Sequence, residues 1–186
     1  MKRSFTLIEL IVVIAIIAIL AAIIAPNAFR AIEKAKISKA VSDLKSIKTA
    51  VYSLYADTGH WPISSNIPKF VWETSLMSDI DSWPGWDGPY LGRNPDPCPW
   101  SGGYFFSGLL DWGKGPSNEL FVAMDDNCIP KYGSPGGLTC DIPTETMKKI
   151  DAIIDDANLS TGDVRKYTFD GDRNFLYWAI VYDVIG

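Results

Sequence analysis

The most regular feature of the chain is an apolar run near its amino terminus. Residues 5–25 contain only two polar side chains, Thr6 and Glu9, and a lysine and an arginine stand just before the run. As an α-helix this stretch would be about 31 Å long, which matches the ~30 Å hydrocarbon core of a bilayer. The pattern therefore predicts a membrane-spanning helix.

Glu9 is the feature of this run that needs an explanation, because a charge at the centre of a membrane helix costs about 2.5–3.5 kcal/mol. Three interpretations are open. The run is a secretory signal peptide, or a plain anchor with an incidental interfacial glutamate, or a helix whose glutamate is paired. In the third, the partner is an amine made by cutting the chain before Phe5, in cis or on a neighbouring molecule. Opposite charges attract strongly in such a low-dielectric medium.

Apolar residues continue past the run at steps of mostly three or four, which indicates one stripe of an amphipathic helix. Thr58-Gly59 supplies a stop, so the helix is expected to end near Asp57. Pro26 removes a backbone hydrogen bond and predicts a kink or local melting, the alternative being two helices separated there. The stripe consists of Phe29, Ile32, Ile37, Val41, Leu44, Ile47, Val51 and Leu54.

Aromatic and β-branched segments in the rest of the chain predict short strands. The last of them is apolar at nearly every position, so it is expected to be a central strand packed on the long helix. The turn sequence DGDRN, residues 170–174, predicts a hairpin between the last two strands. The predicted strands are 103–107, 120–124, 164–169 and 175–184.

Residues 143–162 predict a short helix with Thr144 as its cap and a stop between residues 158 and 162. Its expected apolar side consists of Ile142, Met147, Ile150, Ile153 and Ile154. The elements together predict an α+β fold, in which a long amino-terminal helix packs on an antiparallel sheet.

Charge is distributed unevenly along the chain, whose formal net charge is −5. Residues 27–48 hold six basic and two acidic side chains, whereas residues 49–186 hold nine basic and nineteen acidic ones. The basic segment is a candidate contact for anionic headgroups or for acidic parts of neighbouring molecules, or it is a solvated helix face. The acidic remainder argues against nucleic-acid binding, which needs clustered lysine and arginine.

Six of the seven tryptophans lie in residues 61–116, which are also rich in proline and glycine. We expect an ordered irregular loop held by aromatic packing, and a sugar-stacking platform is the alternative. His60, the single histidine, is expected to be structural or exposed. No nucleophile elbow, metalloprotease motif or phosphate-binding loop is present in the sequence, so no enzyme is predicted.

Two cysteines, Cys128 and Cys140, enclose eleven residues rich in glycine and proline. In an exported chain they favour a loop disulfide, which would stabilise the fold by about 3 kcal/mol. Cys98 would be left over or would pair with either of them, and the alternative is that all three are reduced.

Calcium is the one cofactor for which the sequence offers candidate ligands. Alternating oxygen ligands of the kind that hard cations require are provided by Asp170, Asp172 and Asn174. The same residues also suit an ordinary turn. A weaker candidate, more simply interpreted as polar residues at a helix end, is formed by Asp155, Asp156 and Asn158.

The segment SFTLIE, residues 4–9, with the apolar run and Pro26, resembles the amino-terminal signature of type IV pilins and type II secretion pseudopilins. In that family a membrane aspartyl peptidase removes a basic leader, and the new terminus is methylated. The resemblance implies cleavage between Ser4 and Phe5 and N-methylation of Phe5. It also implies that Glu9 acts in assembly by pairing with the amine of an adjacent subunit. Ser4 departs from the glycine that the family usually has there.

Two further segments, residues 43–62 and 86–106, resemble the major pseudopilin of type II secretion, although Cys98-Pro99 interrupts its Asp-Pro-Trp step. Proteins of that group bind calcium in a carboxyl-terminal loop, but their ligand pattern does not align clearly with residues 170–174. The resemblance implies a pilin fold with a kinked helix. Its parts are a leader at 1–4, a membrane and filament-core helix at 5–26, an amphipathic half at 27–58 and a globular domain at 59–186.

The function implied by the resemblance is that of a structural filament subunit, anchored once in the cytoplasmic membrane with its globular domain outside the cytoplasm. It would then enter a cell-surface or periplasmic filament. Expected partners are other copies or related pilins, the prepilin peptidase and methylase, an inner-membrane assembly platform and lipid. The alternatives are a minor pilin that adheres through a tryptophan-rich face, and an anchored monomer whose leader is never cut.

Overall fold

The computed structural model describes residues 6–62, 69–95, 97–100, 103–108, 120–124, 142–169 and 173–181, which form two α-helices and five β-strands. A short 3₁₀ turn, Val71–Glu73, follows the first strand. By its internal contacts the chain divides into two units, residues 1–36 and 37–186. In chain order the elements are α1 (Leu7–Thr58), β1 (Lys69–Phe70), β2 (Tyr104–Gly108), β3 (Leu120–Met124), α2 (Thr144–Ile154), β4 (Val164–Phe169) and β5 (Arg173–Val181).

The helix α1 is continuous through Pro26, so the alternative of two helices separated at this proline is wrong, and the expected local melting does not occur. The helix ends at Thr58, one residue after the predicted end. Gly59 follows with a φ of +72°, which glycine adopts without the steric cost of a Cβ atom. The Gly59 N–H still donates to the Tyr55 carbonyl oxygen at 2.8 Å and closes the last turn.

The five strands form one antiparallel sheet in the order β1-β2-β3-β5-β4. The last strand, β5, therefore lies between β3 and β4, and the prediction of a central strand is confirmed. β3 and β4 have their predicted bounds, whereas β2 is shifted by one residue and β5 begins two residues early. The ends of β4 and β5 pair through Phe169 and Arg173, as a hairpin requires, but residues 170–172 lie outside the described residues.

The hydrophobic core lies between the second half of α1, one face of the sheet and α2. The predicted stripe of α1 is buried from Ile37 to Leu54, whereas Phe29 and Ile32 are exposed. The Tyr52 hydroxyl donates to the Ile180 carbonyl oxygen at 2.7 Å and so ties α1 to β5. The sheet side chains in this core include Tyr104, Phe106, Leu120, Val122, Met124, Leu176, Trp178 and Ile180.

The helix α2 differs from its prediction at both ends. Pro143 occupies the cap position, without a side-chain cap, and Thr144 is already helical, so the assignment of Thr144 as the cap is wrong. The helix ends at Ile154 because Asp155 leaves the helical conformation, with φ −142° and ψ −122°. Ile153 is exposed and does not belong to the apolar side, whereas Met147 is fully buried.

Candidate functional site

The amino terminus of α1 is closed by reciprocal hydrogen bonds between Thr6 and Glu9. The N–H and the hydroxyl of Thr6 donate to Glu9 Oε2 at 2.8 and 2.7 Å, and the Glu9 N–H donates to Thr6 Oγ1 at 3.3 Å. This arrangement is a capping box, which satisfies N–H groups that have no partner within the helix. Glu9 thus has a local partner within its own chain. Ser4 and Phe5, the predicted cleavage and methylation residues, lie outside the described residues.

The first part of α1 presents apolar side chains on all sides. Among the described residues, α1 is the one helix that is long and apolar enough to cross a membrane by length and composition. Such an extended apolar surface is far larger than soluble monomers expose, so it requires lipid or other protein around it. Its exposed residues are Leu7, Ile8, Leu10, Ile11, Val12, Val13, Ile14, Ile16, Ile17, Ile19, Leu20, Ile23 and Ile24.

A buried carboxylate joins the second half of α1 to the sheet and to the proline-rich loop. Asp43 is buried, and its Oδ2 lies 2.5 Å from Lys39 Nζ and accepts the Tyr104 hydroxyl at 3.0 Å. Lys39 Nζ also reaches the carbonyl oxygens of Pro95 and Pro97, each at 3.4 Å. The network therefore fixes the loop against the helix, which is a structural role for one of the six basic residues of this segment.

A second basic residue of the segment, Lys48, is also engaged within the globular part. Its Nζ lies 4.5 Å from the centroid of the Trp178 ring, in the geometry of a cation–π contact. Arg30 and Lys34 are exposed. The basic segment is thus partly a structural face, and its contact with headgroups or neighbouring molecules stays a prediction.

The described tryptophans of the proline-rich region pack against the core. Trp86 donates its indole N–H to the Ser75 carbonyl oxygen at 2.7 Å, and Trp61 stacks on Tyr55 with ring centroids 3.9 Å apart. His60 stacks on Trp83, as suits a structural residue. These contacts favour aromatic packing over a sugar platform. The half-buried tryptophans in this group are Trp61, Trp83, Trp86 and Trp100.

Two of the predicted site features, the disulfide and the calcium loop at 170–174, cannot be located from the described residues. Cys128 and Cys140 lie outside them, as do Asp170 and Asp172, and of Asn174 only the backbone in β5 is described. The disulfide and the calcium loop at 170–174 therefore stay predictions. Cys98 is described, and it is a buried thiol within the hydrophobic core.

The loop after α2 is organised by Asp155. Its Oδ2 accepts the backbone N–H of Asp163 at 2.5 Å and that of Val164 at 3.3 Å, which connects the end of α2 to the start of β4. Gly162 makes this close approach feasible, because a Cβ atom at that position would overlap Asp155 Oδ2. Gly162 also has a φ of +72°, where residues with a side chain are strained.

Asp156 closes the same loop from the other side. Its two oxygens accept the Asn158 N–H and the Thr161 hydroxyl, both at 2.8 Å. The Thr161 hydroxyl, followed by the Asn158 N–H, lowers the pKa of Asp156 below its ordinary value. Asn158 is the third residue of the weaker calcium site predicted from the sequence. Its Oδ1 accepts the Ser160 N–H at 3.2 Å, as in an Asx turn.

A third aspartate, Asp151, lies beside Asp155 and Asp156, and it is not among the site residues predicted from the sequence. Oxygen atoms of Asp151, Asp155 and Asp156 all lie within 4.8 Å of one another. Asp151 is fully buried, and burial, followed by the charges of Asp156 and Asp155, raises its pKa. The sequence does indicate a buried position for this acid, because Asp151 stands one turn before Asp155 and directly follows Ile150 on the apolar side of α2.

Comparisons with known proteins agree with this architecture. Residues 1–25 match the family described as "Prokaryotic N-terminal methylation motif", and residues 31–112 match the family described as "PilW, C-terminal". The fold is similar to that of the major type IV pilin PilA1 from Clostridium difficile, with 16% sequence identity and a TM-score of 0.50. That match covers 81% of this chain and 97% of the pilin. No curated protein sequence matches the chain significantly.

Proposed function

We propose that this chain is a structural subunit of the type IV pilin and pseudopilin family, which polymerises through its amino-terminal helix. The observation that carries the proposal is the apolar surface of α1 from Leu7 to Ile24, which is exposed in the isolated chain. Before assembly this surface would lie in the cytoplasmic membrane, with the globular part outside the cytoplasm. In a pilus or secretion pseudopilus the same side chains would pack against neighbouring helices.

Glu9 would set the position of each subunit along the filament. Cleavage before Phe5 creates an amine one residue away from Thr6, whose N–H already donates to Glu9 Oε2. The carboxylate has a second oxygen and further lone pairs, so it can accept the amine of an adjacent subunit while it keeps its capping contacts. A charge pair in the apolar core would be strong only in one register, since every other register would leave both charges without a partner.

Processing is tested first by intact mass and amino-terminal sequencing of the protein purified from its native membrane or sheared filament fraction. We expect a chain that begins at N-methylated Phe5, together with a prepilin peptidase and methylase in the same cell. A chain that begins at Met1 would contradict the proposal, because Glu9 would then have no amine to pair with.

The role of Glu9 is tested by Glu9→Gln, which keeps an amide oxygen for the capping box but removes the charge. We expect normal helix content and normal leader cleavage, and at least a tenfold loss of sheared filaments measured by immunoblot and electron microscopy. Asp79→Asn, at an exposed acid of the globular part, is the matched control and should assemble normally. Normal filament yield in Glu9→Gln would mean that Glu9 serves only as a cap.

The alternative of an adhesive binding module has less support. It requires several tryptophans on one open face, but the described tryptophans of the proline-rich region are half buried and pack against the core. The finer assignments, a type II secretion role among them, rest on the resemblance of residues 43–62 and 86–106 alone.

A further inference from the structure

We propose that the carboxyl-terminal end of α2 and the loop after it form a calcium-binding site, with Asp151, Asp155 and Asp156 as ligands. The site lies before β4 and is separate from the predicted calcium loop at residues 170–174, which follows β4. It does not depend on whether the chain forms filaments.

The observation that carries this proposal is the state of Asp151. Its side chain is fully buried, and neither carboxylate oxygen has a hydrogen-bond partner among the described residues. The nearby N–H groups of Ala157 and Asp156 lower the pKa of Asp151 somewhat, but they do not reach hydrogen-bonding geometry. Buried carboxylates in folded proteins are almost always paired or bound to a metal, so these two oxygens require a ligand.

The distances suit a single hard cation. Calcium takes oxygen ligands at about 2.3–2.6 Å, so two oxygens on one ion can be at most about 5 Å apart. The oxygens of Asp151, Asp155 and Asp156 lie within 4.8 Å of one another. The capping and turn contacts of Asp155 and Asp156 leave lone pairs available, because each ionised carboxylate can accept about four hydrogen bonds or metal bonds.

Charge also favours a cation at this place. None of the three aspartates forms an ion pair with a lysine or arginine in the part of the chain that the structure describes. The basic residues at the start of β4 contact other groups: Arg165 Nε donates to the Gly162 carbonyl oxygen at 2.7 Å, and Lys166 Nζ lies 3.4 Å from Thr144 Oγ1. Three carboxylates so close together repel one another unless a cation lies between them.

The test is thermal unfolding of the full chain in detergent micelles, in EDTA and then in 10 mM CaCl₂, with calcium titration calorimetry alongside. We expect one site with a dissociation constant of about 10⁻⁴–10⁻³ M, as in extracellular calcium modules, and a rise in melting temperature of about 3–10 °C. Asp156→Asn, at an exposed residue, should fold normally and bind calcium at least tenfold more weakly. Glu145→Gln, at the exposed other end of α2, is the control and should behave as the wild type.

The variant Asp151→Asn tests whether Asp151 is a metal ligand or only a buried acid. In EDTA this variant should melt at or above the temperature of the wild type, because it removes a buried negative charge. Calcium should not raise the melting temperature of this variant, so the wild type should have the higher melting temperature in calcium. The proposal is overturned if calcium does not shift the wild type, or if it shifts Asp156→Asn equally, and Asp151 would then be a neutral acid of the core.

Discussion

Two glycines with the same backbone conformation lie in very different surroundings. Gly59 and Gly162 both have a φ of +72°, but a Cβ atom at Gly59 would meet nothing within 4 Å, whereas one at Gly162 would overlap Asp155 Oδ2. Substitutions at these two glycines therefore distinguish the free-energy cost of a left-handed backbone from the cost of a steric overlap. It also shows how closely the loop after α2 is folded around a carboxylate.

Gly59→Ala should lower the free energy of unfolding by about 1 kcal/mol, which is the conformational cost alone. Gly162→Ala should lower it by about 2–3 kcal/mol, because Asp155 must also give up its contacts with the N–H groups of Asp163 and Val164. Denaturant unfolding of both variants at one fixed calcium concentration measures the difference. Equal losses would mean that the Asp155 side chain moves aside freely.

Single residues also show where sequence interpretation stops. The Thr-x-x-Glu spacing of Thr6 and Glu9 is a local signal, so their capping box is predictable from the sequence. Asp151 is different. Its position on the apolar side of α2 is visible in the sequence, but the absence of a partner depends on what the fold brings near it.

Among the elements, the second half of α1 is held in the globular part by its apolar stripe and by one buried acid. Asp43 lies on the buried face between Ala40 and Leu44, where a carboxylate is tolerated only with partners. Tyr104 on β2 and Lys39 on α1 provide them. We therefore expect Asp43 to contribute more to the attachment of the helix than an ordinary surface ion pair would.

Asp43→Ala should lower the free energy of unfolding by about 1–3 kcal/mol, because the Tyr104 hydroxyl loses a buried acceptor. Lys39→Ala should cost about 1 kcal/mol or less, since the Lys39 side chain is 44% exposed and water can replace it. Thermal unfolding of the two single variants and the double variant gives the coupling. A loss for Lys39→Ala as large as that for Asp43→Ala would place the ion pair, rather than Tyr104, at the centre of the network.

Elements with strong local patterns were predictable, and those defined by distant contacts were not. β3 and β4 follow from β-branched and aromatic residues, and α1 follows from its apolar period. The two-residue strand β1 exists only through its pairing with Phe105 and Phe106 of β2, so its own sequence does not indicate it. Likewise α2 ends early because Asp155 binds N–H groups eight and nine residues further on.

At the scale of the whole molecule, the buried residues of α1 begin only at Ile37. A variant that lacks residues 1–30 should therefore keep its core and dissolve without detergent. Its melting temperature should stay within about 4 °C of the full chain in micelles, which corresponds to about 1 kcal/mol. Circular dichroism checks this, and loss of the cooperative transition would mean that the first part of α1 supports the fold.

The position of β5 between β3 and β4 has a consequence for biogenesis. The sheet cannot be completed before β5 has been synthesised, because β4 pairs only with β5 among the described strands. Long-range strand pairing is also slow compared with helix formation. The apolar helix is synthesised first and can thus form while the sheet is still incomplete. Each newly made molecule would therefore pass through a period with a complete apolar helix and an open sheet, in which chaperones have their opportunity to act.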